Sequence, residues 1–541
     1  MKPYKTFKTF LVCILLCCAM HAPTAYAQEQ GLRWGKWARG HTSSGGMVYD
    51  KVKDSYIDSA GNTYIFGRCG MDARLNNGIY NGPYICPMDS ITGSAGITFG
   101  VFLAKIDTSG NVLWCKSARG ANANSPSIPW NNMVVKDGRI TIAFDFFWGY
   151  APGAEWFYFF DTILTTSSDM FTKNHYATYF ATFDLDGNRL DHHSIKLYAY
   201  SDPEYISFYS NPFGRQRSSY GSFLIDGDNN IHIFACSHFF GEDSLHKAYI
   251  IVDGDTNRQY PLNIKTQNGK TFTTSMHFKM DSDWNLIDSR FFIDSISVWN
   301  PDGEAMAYIE FKNTTIVGDE IYANCIFHNE DIYFSPDTMP IKVFLDSVHY
   351  LRIDNTIDWE TMPCLLKLNL DGEIFWVQQL YNEPTISLPS NYMAWGGIAT
   401  DDENVYVFYR PNWVYSTRFY IDSAHVTGLP HLANINTTNY CLVVSYNRNT
   451  GSYVDYYVAD TVNTNGSQNS LAIIGDELLI NVDYSHDLKK TELCKINKYT
   501  KEVTWSSPIQ YNFIVQCRNL SVNDHGWVFR GECGDEPRVY D

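Results

Sequence analysis

Two short units alternate along this chain, and their alternation limits the possible folds more than any other feature. The front unit reads apolar run, acidic or Gly turn, apolar run. Its copies are SYIDSAGNTYIFG (from Ser55), MVVKDGRITIAFDF (Met133), SFLIDGDNNIHIFA (Ser222), TTIVGDEIYANCIF (Thr314), GGIATDDENVYVFY (Gly396), LAIIGDELLINVDY (Leu471) and LSVNDHGWVFRGEC (Leu520). The back unit reads FLAKIDTSGNVLW (Phe102), YFATFDLDGNRLD (Tyr179), MHFKMDSDWNLID (Met276), CLLKLNLDGEIFW (Cys364), CLVVSYNRNTGSYVDY (Cys441) and ELCKINKYTKEVTW (Glu492). Each joins two β-branched or aromatic runs through an Asp/Asn/Gly turn, which is the pattern of a β-hairpin. One front and one back unit therefore make a four-stranded antiparallel sheet.

A single such sheet cannot bury both faces, whereas a ring of them can, so the repeat predicts an all-β fold, a β-propeller. Seven front units stand against six complete back units, and the chain ends supply the difference. Arg538 to Asp541 (RVYD) matches the third strand AKID, and Leu32 to Trp34 (LRW) matches the fourth strand VLW. The expected fold is a seven-bladed ring closed by pairing of N- and C-terminal strands, Leu32 to Trp37 against Arg538 to Asp541, which leaves no open sheet edge. Eight blades is the alternative, should an insert hide a degenerate copy. Residues 28–541 then form one domain, although a prior of about 150 residues per domain suggests more.

The back unit FLAKIDTSGNVLW and the front unit DSAGNTYIFG resemble the SBBP repeat of bacterial exported β-propeller proteins. Gly-Asn at the turn survives in SAGN, TSGN and LDGN and is lost in SDWN and YTKE. That resemblance implies fold and export; it implies no catalytic residues.

Residues 1–27 read as a signal peptide: Lys2, Lys5 and Lys8, an apolar run from Phe10 to Met20, and the small-x-small site Ala25 to Ala27. Lipid anchoring at Cys18 is the rival reading, with Cys17 where a small residue belongs. The expected destination is the periplasm, cell surface or medium. Loss of the three lysines takes the formal charge from −18 to −21. An acidic chain repels phosphate backbones, so nucleic acid is not expected as a partner, and no later segment is apolar enough to span a bilayer. Export places ten cysteines where disulfides persist. Cys517 and Cys533 flank a hairpin turn, Cys69 and Cys86 bracket a loop, and most of the rest are read as small buried hydrophobes.

The connection from front to back unit is long in five copies: Arg68 to Gly100, Phe147 to His175, Ser237 to Thr274, His328 to Pro363 and Pro411 to Asn439. These connections leave from one face, and elaborated loops on a rigid ring are where binding usually resides. They are rich in aromatic and acidic residues, which suit a sugar or peptide surface. Trp148, Tyr150, Trp156, Trp413 and Tyr415 are the candidate ligand contacts. Against this, FYFFDTILT, IYFSPDTMPIKVFLDS and RFYIDSAHVTG look like related strand pairs, whose rings would pack the inserts themselves.

Other chemistry has less support. DLDGN, DGDNN and DSDWN alternate oxygens as calcium loops do, but lack a downstream acid and match what tight turns need. Asp191, His192 and His193 offer metal ligands, yet adjacent strand residues point to opposite faces. No GxSxG, HExxH or GxxxxGK[ST] motif occurs. DTSGNVLW brushes against the Asp-box of sialidase propellers, and LNLDGEIFW faintly resembles quinoprotein repeats, without a tryptophan docking pattern running through all copies. The expectation is a monomeric binding or scaffolding module without metal or cofactor, its partner a glycan or protein at the insert face. The alternative is a carbohydrate-active hydrolase or lyase at the mouth of the central channel. A quinone-cofactor dehydrogenase is a third reading.

Overall fold

The computed structural model describes residues 37–39, 51–69, 74–76, 100–120, 123–127, 132–148, 156–160, 162–165, 176–200, 221–237, 247–253, 255–262, 266–267, 270–271, 274–296, 306–330, 341–353, 360–382, 393–411, 418–422, 425–428, 441–459, 471–484, 490–510, 515–523 and 526–533. Each adjoining front and back unit forms one antiparallel sheet whose strands follow chain order from the ring axis outward. Blade 1 is Lys51–Ile57, Thr63–Cys69, Gly100–Ile106 and Val112–Gly120, and blade 2 is Met133–Lys136, Arg139–Trp148, Tyr176–Asp184 and Arg189–Tyr200. Blade 3 is Ser222–Ile225, Ile231–Ser237, Thr274–Met280 and Leu286–Phe291, and blade 4 is Met306–Val317, Glu320–Glu330, Glu360–Asn369 and Ile374–Gln379. Blade 5 is Met393–Thr400, Asn404–Pro411, Cys441–Asn447 and Tyr453–Ala459, and blade 6 is Leu471–Ile474, Glu477–Tyr484, Lys490–Asn497 and Val503–Gln510. The last front unit forms a two-stranded sheet, Val515–Asn523 with Gly526–Cys533.

The fold is an all-β propeller. Inner strands of successive blades touch in order from blade 1 to blade 6, then reach Val515–Asn523, which in turn contacts the inner strand of blade 1. Among the described residues six blades are complete, one fewer than the repeat predicts, and the seventh unit contributes its two-stranded sheet. The terminal pairing expected of Leu32 to Trp37 with Arg538 to Asp541 lies outside the described residues, apart from Trp37, which pairs with Asn76.

The core lies between neighbouring sheets, because alternate residues of a strand face opposite blades. In the second strand of blade 2, Ile142 and Phe144 pack with Tyr64, Phe66 and Leu103 of blade 1. Ala143 between them faces Phe223 and Ile233 of blade 3. Similar layers join blades 3 and 4, 4 and 5, and 5 and 6.

The turns use one geometry whether or not the glycine survives. Gly61, Gly110 and Gly187 sit at φ +82, +82 and +83°, and Asn229 and Trp284 take the same left-handed position at +66 and +63°. The opening aspartate fastens the loop. Asp184 Oδ1 accepts N–H bonds from Asp186 and Asn188 at 3.0 and 2.8 Å, and Oδ2 accepts from the Asn188 amide at 2.8 Å. Asp226 and Asp281 bind their turns in the same way, so the opening carboxylates of DLDGN, DGDNN and DSDWN serve turn geometry.

The same back turns dock neighbouring blades. Trp114 of blade 1 lies against Gly187 of blade 2, and its indole N–H, with Lys105 Nζ, donates to the Leu185 carbonyl at 3.3 and 3.2 Å. Trp376 of blade 4 meets Gly451 of blade 5, and its N–H and Lys367 Nζ donate to the Arg448 carbonyl at 3.2 and 2.8 Å. Between blades 3 and 4 an arginine replaces the indole, Arg290 Nε donating to the Asp371 carbonyl at 2.8 Å.

Candidate functional site

The long connections leave the ring on the face opposite the turns, and the strands they contain fold back. Trp156–Phe159 and Thr162–Thr165 form a hairpin that pairs with Ala118 to Gly120, the tail of blade 1's outer strand. Lys247–Val252 and Gln259–Leu262 pair onto the blade 2 outer strand over Ile195 to Tyr200. Ile341–Phe344 and Tyr350–Ile353 pair with Ser295–Ile296, just past the outer strand of blade 3. Arg418–Asp422 and His425–Gly428 pair with Tyr381–Asn382, just past that of blade 4. Each insert thus strengthens the blade before its own, so part of every such insert belongs to the ring's outer wall rather than to a crown on one face.

Trp148 closes the second strand of blade 2, opposite Ala123, and Trp156 opens the first insert hairpin, opposite Thr165. Both therefore belong to one insert. Tyr150, Trp413 and Tyr415 lie outside the described residues. Of the cysteine pairs, Cys517 is opposite Gly531 and Cys533 opposite Val515, so those two are offset by two positions rather than facing; Cys69 faces Gly100, and Cys86 lies outside the described residues.

On the insert side of the ring axis the inner strands share an irregularity that sequence reading missed. The register slips between Val52 and Asp54, Phe311 and Asn313, Trp395 and Ile398, and Cys517 and Asn519. The additional residues are Lys53, Lys312, Arg518 and, in blade 5, one of Gly396 and Gly397, which together oppose Phe408. Bulges re-aim side chains and are over-represented beside active sites. The legible signal was a Lys or Arg followed by Asp or Asn at a fixed offset from the front turn, in KD, KN and RN.

Just on the turn side of these bulges a collar of short residues joins the blades. Asp54 Oδ2 accepts the N–H groups of Asn132 and Met133 at 2.8 and 3.0 Å, tying blade 1 to blade 2. Ser222 hydrogen-bonds Thr314, tying blade 3 to blade 4. A Cβ on Gly397 would stand 2.5 Å from the Leu471 backbone nitrogen, so only glycine admits that approach of blades 5 and 6. Glu310 and Lys312, 1% and 3% exposed, form a buried ion pair at the same end of blade 4.

A second charged group sits on the outer wall between blades 2 and 3. His193 presents Nδ1 to Asp253 and Nε2 to Asp191, both at 2.9 Å, and its ring stacks on Trp284 with centroids 4.9 Å apart. Only an imidazolium donates from both nitrogens. Burial by itself lowers the His193 pKa, and the two carboxylates outweigh it, holding the pKa above the usual histidine value. Asp253 also accepts the Ser194 N–H at 2.8 Å and Arg258 Nη1 at 2.9 Å, while Arg258 Nη2 donates to the carbonyls of Asp283 and Trp284 at 2.7 Å. The group clamps blade 2, the hairpin of the following insert and the turn of blade 3. His192 lies on the other face of the strand, as alternation requires, with its pKa lowered by burial and by Arg189. Asp253 comes from a hairpin some sixty residues downstream. Its only sequence signal is the apolar–apolar–Asp run that recurs at Asp161, Asp253, Asp346 and Asp422.

Among the described residues no helix is long and apolar enough to cross a membrane, and no group of three or more metal-ligating side chains converges. No protein-family model matches the chain, and no curated protein does. Among solved structures it is similar to an ulvan lyase of polysaccharide lyase family PL25, at 10% identity over 88% of each chain with a TM-score of 0.37. It is also similar to a europium-containing methanol dehydrogenase, at 9% identity and TM-score 0.35 over 92% of this chain and 85% of the other. A quinohemoprotein alcohol dehydrogenase from Comamonas testosteroni aligns at 11% identity and TM-score 0.28, over 92% and 77%.

Proposed function

We propose that the chain is an exported, monomeric, seven-bladed β-propeller that acts as a binding or scaffolding module through its insert-bearing face. The ligand class is a glycan or a protein surface, and nucleic acid is not a partner. The observation that carries the reading is the separation of roles across the ring. One face has tight turns whose opening aspartates fasten the turn and whose carbonyls dock the neighbouring blade, and the other issues the long connections, among them the insert bracketed by Trp148 and Trp156. The carboxylates Asp54, Glu310 and Asp253 are each engaged in joining or pairing elements, which favours recognition over acid–base chemistry.

The seventh blade and its closure are part of the same proposal. Trp37–Arg39 pairs with Arg74–Asn76 of the first insert as the ARG tail of blade 1 pairs with the second insert. Ala38 and Arg39 correspond to Ala118 and Arg119 in the matching stretches KWARG and KSARG. By that rule Trp37–Arg39 is the tail of the outer strand of the closing blade, whose inner strands are Val515–Asn523 and Gly526–Cys533.

The test is binding to glycan and peptide arrays by the secreted chain and by a Trp148→Ala/Trp156→Ala variant. Binding that the variant loses by tenfold or more is expected; undiminished binding by the variant would remove these residues from the site. A carbohydrate-active hydrolase or lyase at the channel mouth is the second reading, favoured by the bulges that carry Lys53, Lys312 and Arg518. Depolymerisation of an acidic polysaccharide, lost in Lys53→Ala, would establish it over the first.

A further inference from the structure

We infer that Cys325 and Cys364 form a disulfide that joins the two middle strands of blade 4. Cys325 lies on the second strand of blade 4 and Cys364 on the third, directly opposite each other in an antiparallel ladder without a slip at that point. Opposed residues of such a ladder have Cα atoms about 4.5–5.5 Å apart, inside the span of about 4.4–6.8 Å that a disulfide bridges. Both side chains are fully buried in the layer between blades 3 and 4, beside Phe311, Phe327, Leu351 and Leu366. Their thiols are close enough to hydrogen-bond, and Cys325 Sγ also reaches the Ala323 carbonyl at 3.4 Å.

Two further cysteines have different neighbours. Cys115 stands opposite Ala104, and Cys494 is flanked by Ile480 and Ser506. They are internal controls within the same chain. Between Cys325 and Cys364 lies the whole blade 4 connection, including the hairpin Ile341–Ile353 that pairs beyond blade 3. The bond would close this loop inside blade 4, four ladder pairs short of where the insert leaves at Asn329 and Glu360, and so hold the two middle strands together beneath the proposed binding face.

The chemistry is thiol–disulfide exchange with a disulfide oxidant, either a dithiol oxidase of the export compartment or oxidised glutathione. A thiolate of one cysteine attacks a sulfur of the oxidant, displacing one thiolate. The second cysteine attacks the mixed disulfide and displaces the other. The oxidant gains two electrons and is reduced to two thiols, which take up the two protons the cysteines lose. Burial pushes the Cys325 thiol pKa well above its ordinary value and excludes the oxidant, so the exchange belongs to folding, before the layer between blades 3 and 4 closes.

The test is refolding of the full chain in a glutathione buffer, oxidised or fully reduced, followed by alkylation in denaturant, digestion without reduction and mass spectrometry. Circular dichroism checks that both arms are folded. The expected result is a Cys325–Cys364 linked peptide in the oxidised arm, with Cys115 and Cys494 alkylated in both arms. The denaturation midpoint should also be higher for the oxidised chain, a difference abolished by Cys325→Ala/Cys364→Ala. Folded protein from the oxidised arm with Cys325 and Cys364 both alkylated would overturn the inference, and so would either cysteine linked instead to a different partner. Neither outcome depends on whether the insert face binds a ligand.

Discussion

At Gly187 two demands meet: a backbone at φ +83°, and a Trp114 ring whose nearest atom would stand 2.8 Å from an added Cβ. Gly138 has a similar φ of +72° with open space around it. Gly138→Ala should therefore cost only the backbone term, about 1 kcal/mol. Gly187→Ala should cost an additional 1–3 kcal/mol or so for overpacking the docked indole. Chemical denaturation of the two variants checks this, and equal losses would mean that docking at Gly187 adds nothing. His193 gives a second test. Its folded pKa is raised above an unfolded value of about 6.5, so its contribution is fully present below pH 6.5 or thereabouts and is lost as the pH rises through the folded pKa. The stability difference between wild type and His193→Gln should then be largest near pH 6 and shrink toward pH 9. Asp253, whose pKa burial alone would raise but the bonds from His193 and Ser194 and the charges of His193 and Arg258 together depress, ends that advantage at the acid side, as protonation there breaks the clamp.

Among elements, the insert hairpins decide how the ring's outer wall is finished. Replacing Ile341–Ile353 with a short Gly/Ser linker would uncover Ser295–Ile296 and strip Val343, Leu345 and Leu351 from the layer between blades 3 and 4. Three buried aliphatic side chains at about 1.5–3 kcal/mol each predict a loss of several kcal/mol. The newly bare strand edge predicts concentration-dependent association, read by light scattering. The hairpins also mark how far the sequence could be read. Every strand of the six complete blades was legible from the front and back units, since period-two alternation and an Asp/Asn/Gly turn are local signals. The turns SDWN and YTKE lack glycine, yet Trp284 and Lys501 take positive φ there, because the surrounding ladder fixes the turn. FYFFDTILT and RFYIDSAHVTG were recognisable as strand pairs, and in the remaining case the pair is Ile341–Phe344, within the quoted stretch, with Tyr350–Ile353, just past its end. What each hairpin pairs with is a contact between distant segments, and no local pattern encodes it. The same holds for His193 with Asp253, and for the collar at Asp54, whose partners are backbone N–H groups of the next blade.

At the scale of the whole molecule, the decisive contact is closure of the ring through the N-terminal strand. The inner strands already run in a circuit, with Val515–Asn523 and Gly526–Cys533 against the inner strand of blade 1. Without the terminal strands those two would end the molecule as an open sheet edge. With them, blade 7 gains its outer half and the ring resists opening. Amide hydrogen exchange on the intact chain and on one lacking residues 28–40 compares these cases directly. Closure predicts that the truncation strips protection from the amides of 538–541, the strand the N-terminal strand would pair with, while the second strands of blades 3 and 4, across the ring, keep theirs. Unchanged protection at 538–541 after truncation would contradict closure by the N-terminal strand.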